Sequence, residues 1–146
     1  MKRIVLAAMF LLILYGQAVA GGGLDVFLDN LNVQARADAN GFSARLSTQF
    51  GVPVPQVQAI ISTVSAPADA FMVLQLGQMT HRPPETVVQV YQANRGKGWG
   101  VIAKRLGIKP GSREFHALKR GDFVLSGEPR GEGPGKGKGK GKGRNK

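Results

Sequence analysis

The sequence predicts an all-α domain, a small bundle of about five short helices whose last pair is helix-turn-helix-like, followed by a disordered C-terminal tail. Three observations carry this expectation. Apolar residues between Leu24 and Leu125 recur at steps of three and four, with no convincing period-two stretch. Proline and glycine interrupt that span where short helices would start and stop. Beyond Leu125 the only apolar residues are two prolines, and eight of the last 20 residues are glycine, so no core can continue there.

The elements follow in order. Leu24, Phe27, Leu28 and Leu31 form the first stripe, and Phe42, Leu46 and Phe50 resume it after an expected break at Asn40-Gly41. The segment 51–55 reads as a turn in which Pro55 suits the first turn of a helix carrying Val57, Ile60, Ile61 and Val64. Ser65-Ala66-Pro67 reads as an N-cap and an early helical proline, opening a helix with Phe71, Leu74 and Met79 near its buried face. Arg82-Pro83-Pro84-Glu85 ends that helix and starts the next, striped by Val87, Val90 and Tyr91. Gly96-Lys97-Gly98 breaks the chain again. Trp99, Ile102, Ala103 and Leu106 then share a face, and Gly107 stands where a left-handed C-terminal cap belongs. After the Lys109-Pro110-Gly111 turn, Ser112 is a good N-cap for a last short helix with Phe115 and Leu118 inward.

The N-terminus reads as an export signal. Lys2 and Arg3 precede an apolar run of 12 residues, Ile4–Tyr15, and Ala18-Val19-Ala20 supplies small residues for cleavage after Ala20. A helix needs about 20 apolar residues to span a bilayer. Cleavage is therefore preferred here over an uncleaved anchor. The expected organisation is a signal peptide over 1–20, a helical domain over 21–125 and a cationic tail over 126–146, with a periplasmic or secreted location. Cysteine is absent, which excludes disulfides, thiol catalysis, thiolate metal sites and a lipoprotein anchor.

The formal charge of +11 is unevenly spread. Residues 21–94 hold three arginines against five carboxylates, a net of −2, whereas 95–146 hold fifteen Lys/Arg against four carboxylates, a net of +11. Such asymmetry points to electrostatic attachment to polyanions and says nothing of the fold. In the folded part the candidate polyanion-binding residues are Arg95, Lys97, Lys104 and Arg105, then Lys109, Arg113, Lys119 and Arg120. In the tail they are Lys136, Lys138, Lys140 and Lys142, alternating with glycine, then Arg144 and Lys146. Extended chain advances about 3.4 Å per residue, which puts alternate lysines ~7 Å apart. Lysine acts as a point charge where arginine would bind a phosphate bidentately, so the tail suits loose, sequence-blind attraction.

The densest stretch is GWGVIAKRLGIKPGSREFHALKRG, residues 98–121. Its Ile102–Ile108 segment has the look of a first helix and turn, with Ser112–Arg120 where a recognition helix would stand. Two short packed helices with solvated basic faces are the preferred reading over sequence-specific DNA recognition, because the match is short, few base-reading side chains are on offer and an exported protein does not meet an operator. The block also resembles the signature of a family of small exported bacterial proteins of unknown function that often end in a Gly/Lys-rich segment. The resemblance implies an all-helical exported domain and brings no catalytic residues.

No catalytic or metal-ligating set stands out. His116 has no carboxylate or second histidine three or four residues away, and Glu85, four residues after His81, is separated from it by the helix-breaking Pro83-Pro84, so a surface or helix-end role is expected of each. Gly96–Gly100 lacks the strand that a phosphate-binding loop follows. Trp99, at the head of a regular stripe, reads as a core anchor. The expectation is an exported, non-enzymatic protein without cofactor or metal. It would bind nucleic acid, acidic polysaccharide, lipopolysaccharide phosphates or anionic lipid through its basic C-terminal third. The alternative is an envelope protein–protein interaction module whose tail only solubilises it. No small-molecule substrate is evident.

Overall fold

A computed structural model describes residues 22–127; the expected signal peptide and the tail from residue 128 onward lie outside the described residues. Within them the fold is all-helical: α1 (Gly23–Ala37), α2 (Ala39–Phe50), α3 (Val54–Thr63), α4 (Pro67–Thr80), α5 (Pro84–Ala93), α6 (Trp99–Arg105) and α7 (Arg113–Arg120). There are seven helices rather than about five, because the breaks are very short. Asp38 alone separates α1 from α2, and α6 has only seven residues.

That first break also falls two residues earlier than the expected Asn40-Gly41. Asp38 leaves the helical conformation (φ −149°, ψ 87°) and its Oδ1 accepts from the Gly41 amide at 2.8 Å, capping α2. Aspartate competes with the helix for backbone donors, so it suits a cap better than an interior position. Asn40 and Gly41 then become ordinary first-turn residues.

The core is organised around α4. Ala68, Ala70, Phe71, Met72, Val73, Leu74, Leu76 and Gly77 are all buried, so this helix is covered on nearly every side rather than along one stripe. It is packed by α1, α2, α3 and α5, while α7 rests on α1 and α6, and α6 on α5. Phe71 is fully buried at the centre of an aromatic cluster. Its ring meets Phe27 of α1 edge-on at 5.1 Å, Phe50 of α2 at 5.5 Å and Phe123 from beyond α7 at 6.1 Å. Each such buried side chain contributes about 1.5–3 kcal/mol, and the edge-on pairs add to it. No single helix among the described residues is long and apolar enough to cross a membrane. The bent pair α3–α4 passes by length and composition only, and most of α4 is buried in the bundle.

A packed helix needs its first amides satisfied, and α4 finds those partners through tertiary contacts. The N-cap is Ala66 rather than Ser65, and alanine has no side-chain acceptor. Instead Asn32 Oδ1 of α1 accepts from the Ala68 amide at 2.9 Å, and Asp69 Oδ2 accepts from the Ala66 amide at 3.3 Å. The Tyr91 hydroxyl of α5 donates to the same Asp69 oxygen at 2.8 Å and accepts from the Ser65 amide at 3.0 Å. Trp99, half-buried, stacks on the Tyr91 ring at 5.4 Å and so carries the α4–α5 junction into α6.

The ends of the described chain are also fastened. Gly23 at the start of α1 and Gly121 after α7 come into backbone contact, close enough that a Cβ on either would overlap the other segment. Leu125 is fully buried, and the Gln49 side chain donates to Val124 O at 2.9 Å and accepts from the Ser126 amide at 2.7 Å. The chain is thus still held to α2 at Ser126, the first residue assigned to the tail.

Candidate polyanion interface

Local rules place the basic residues on α5's exit, α6, α7 and the turns between them. Gly96 (φ 80°) and Gly98 (φ 88°) take left-handed conformations that turn the chain from α5 into α6, with Lys97 between them. The Gly96–Gly100 segment is that connection, and a helix, not a strand, precedes it. Lys104 and Arg105 occupy the last turn of α6. Gly107 (φ 99°) ends that helix as expected: the Ile108 amide donates to Ala103 O at 3.0 Å and the Gly107 amide to Lys104 O at 3.1 Å. Lys109 lies in the following turn. Ser112 caps α7, its Oγ accepting from the Phe115 amide at 3.2 Å. Arg113 opens α7 and Lys119 and Arg120 close it. The unit is helix-turn-helix-like, with seven residues between its helices rather than the three or four of the DNA-reading motif.

All eight of these cations are solvent-exposed. Two have evident partners within the fold. Arg95 donates to Thr63 O at 3.1 Å with its guanidinium over the Tyr91 ring, and Arg120 pairs with Asp122 at 2.6 Å. An ion pair this exposed is worth about 0–1 kcal/mol. Among the described residues it is the sole ion pair. Lys104, Arg105 and Lys119 sit in last turns, where the helix dipole favours a cation. Lys97, Lys109 and Arg113 have no such explanation. Arg113 stands at the first helical position, where the same dipole opposes it. The tail cations Lys136, Lys138, Lys140, Lys142, Arg144 and Lys146 lie outside the described residues.

The structure adds one residue that the charge count along the chain passes over. Arg82 belongs to the net-negative first part, yet it lines a cleft of about 390 Å³ with Met79 and Thr80 of α4 and with Leu106, Lys109, Ser112 and Glu114. A second cleft of about 660 Å³ continues between α4 and α7, bordered by Gln75, Met79, Arg113, Glu114, His116, Ala117, Arg120, Asp122 and Phe123. Met79 and Glu114 belong to both, so the two form one groove. Arg113, His116, Ala117 and Arg120 reach it because positions i, i+3, i+4 and i+7 share a helix face.

His81 is exposed and takes the left-handed position (φ 54°) that ends α4, while His116 is exposed on α7. Among the described residues no group of three His, Asp or Glu could hold a metal ion. A separate cleft of about 210 Å³ between α2, α3 and the ends of α1 and α4 is lined by Ala35, Phe42, Ile61, Pro67 and uncharged polar groups. Comparison with protein-family models, curated proteins and solved structures gives no match in any of the three.

Proposed function

We propose that this is an exported, non-enzymatic protein that binds polyanions without sequence specificity through its basic C-terminal third. The supporting observation is the inventory of exposed charge on the folded part of that third. Residues 95–127 carry eight cations against Glu114 and Asp122, a net of +6. One of those cations is held in an ion pair, and three stand where helix-end electrostatics gives them no role. Unneutralised cations on adjoining helices and turns attract phosphates, sulfates or carboxylates and release their counterions on contact. Export, cleavage after Ala20 and membership of the family that residues 98–121 resemble are parts of the same proposal.

The test is a salt titration of full-length protein against duplex DNA and an acidic polysaccharide. It is repeated on a chain with Lys136, Lys138, Lys140, Lys142, Arg144 and Lys146 changed to glutamine. If those six side chains contact duplex phosphates, log K against log salt steepens by about 5 because of them, at ~0.9 per phosphate. Equal affinity and equal slope for both chains removes the tail from the mechanism. Salt-insensitive capture of a protein partner by the neutralised chain favours the interaction-module alternative.

A further inference from the structure

We infer that the groove between α4 and α7 is a glycan subsite that selects an acidic polysaccharide, a hydroxyl-bearing sugar chain with carboxylates, from among the possible polyanions. The inference rests on the polyanion-binding reading and concerns where selectivity arises. The groove carries cations at both ends. Arg82 and Lys109 flank one lobe, and at the other Arg113 is the unpaired cation, since Arg120 is held by Asp122, which lines the same lobe. Between them lies a saddle of Met79 and Glu114, shared by both.

Glu114 is exposed, and no hydrogen bond or ion pair among the described residues holds its carboxylate. A carboxylate at the centre of a cationic groove works against a strand with a phosphate at every step. It suits a chain whose anionic groups are separated by hydroxyls, because an ionised carboxylate only accepts hydrogen bonds and a hydroxyl donates one. The neighbouring uncharged polar groups, the Gln75 amide and the Ser112 and Thr80 hydroxyls, suit the same ligand.

Two alternatives fit less well. Single-stranded nucleic acid is held largely by stacking on exposed rings. Of the groove's two rings, the larger, Phe123, is half-buried and packed against Phe27 and Phe71, which leaves the small His116 imidazole as the sole exposed ring lining the groove. Trp99 is stacked on Tyr91 and does not line the groove. An anionic lipid would want a largely apolar channel for its chain, and the apolar part here is confined to the strip formed by Met79, Ala117 and Phe123. A short apolar strip suits the C–H face of a sugar ring. Arginine is the side chain expected at the lobes, since it grips a carboxylate bidentately.

The experiment measures binding of the full chain to oligogalacturonate and to a single-stranded DNA oligonucleotide at matched salt. Arg82→Ala and Arg113→Ala should each weaken oligogalacturonate binding about threefold to fivefold, the scale of one exposed charge contact. Arg36→Ala, which removes an exposed charge on α1 away from the groove, should leave it unchanged. Glu114→Ala should strengthen DNA binding while weakening oligogalacturonate binding, so the ratio of the two affinities moves toward DNA. A ratio that stays constant or moves toward the glycan overturns the inference, and so do Arg82→Ala and Arg113→Ala variants that bind like Arg36→Ala. Wild-type chain that binds neither probe in a salt-dependent way instead defeats the polyanion reading as a whole.

Discussion

Replacing Gly121 by alanine tests how α7, and with it the groove, is attached to the bundle. Gly121 (φ 66°, ψ 35°) follows α7, and Gly51 (φ 66°, ψ 30°) follows α2 in nearly the same left-handed conformation. The two positions differ in surroundings. A Cβ on Gly51 would meet nothing within 4 Å, whereas one on Gly121 would lie 2.5 Å from the Gly23 carbonyl oxygen and 2.9 Å from Leu24 Cα. Gly51→Ala therefore isolates the conformational term. The left-handed region costs an L-residue about 1–2 kcal/mol, and the stiffer unfolded chain returns ~0.4–1 kcal/mol of that. The net loss should be about 1 kcal/mol.

Gly121→Ala carries the same term plus overlap with backbone that has no rotamer to escape into. Overpacking of this kind costs about 1–3 kcal/mol. The total is about 2–4 kcal/mol, a large share of the ~5–15 kcal/mol that stabilises a domain. Urea unfolding followed by circular dichroism measures both variants, as a shift of midpoint at constant slope. A melting-temperature loss of roughly 4–8 °C per kcal/mol should accompany it. If the two variants lose the same stability within about 0.5 kcal/mol, the close approach of α1 to α7 does not exist and the reasoning fails.

Three further substitutions, at two positions, examine the ends of α4. Tyr91→Phe strips the hydroxyl shared by the Asp69 carboxylate and the Ser65 amide while keeping the ring under Trp99. It should cost about 0.5–1.5 kcal/mol in chemical denaturation, the net worth of a part-buried hydrogen bond, and a neutral result would mean that water replaces the bridge. At the other end, His81 ends the helix at φ 54°, with the Arg82 amide donating to Gly77 O at 2.9 Å. His81→Gly should stabilise by about 0.5–1 kcal/mol and His81→Val should destabilise by ~1 kcal/mol or more, since a β-branched residue tolerates that region poorly. Equal midpoints for the two would argue against the left-handed cap.

Much of the local structure was legible because its causes lie within a few residues. Ser112 as a cap, Gly107 as a left-handed stop, and Pro55 and Pro84 in first turns each act on their own backbone. They stand where their chemistry put them. The misplaced break at Asn40-Gly41 shows the limit of that reasoning. The break fell instead at Asp38, the residue whose carboxylate could reach the Gly41 amide. The start of α4 exceeded local reasoning altogether. Its donors are met by Asn32, 36 residues before Ala68, and by Tyr91, 26 residues after Ser65.

The same division runs through the candidate site. Composition and spacing alone determined a helical domain, the concentration of cations from Arg95 onward, and a C-terminal stretch rich in glycine and lysine. Each of these follows from side-chain chemistry summed along the chain. Only the tertiary structure buried α4 on nearly all sides, brought Arg82 from the net-negative part beside Lys109 and Glu114, and set Gly23 against Gly121. Those are juxtapositions of residues distant in sequence. They depend on the path the packed helices impose on the chain, and no periodicity or local propensity encodes that path.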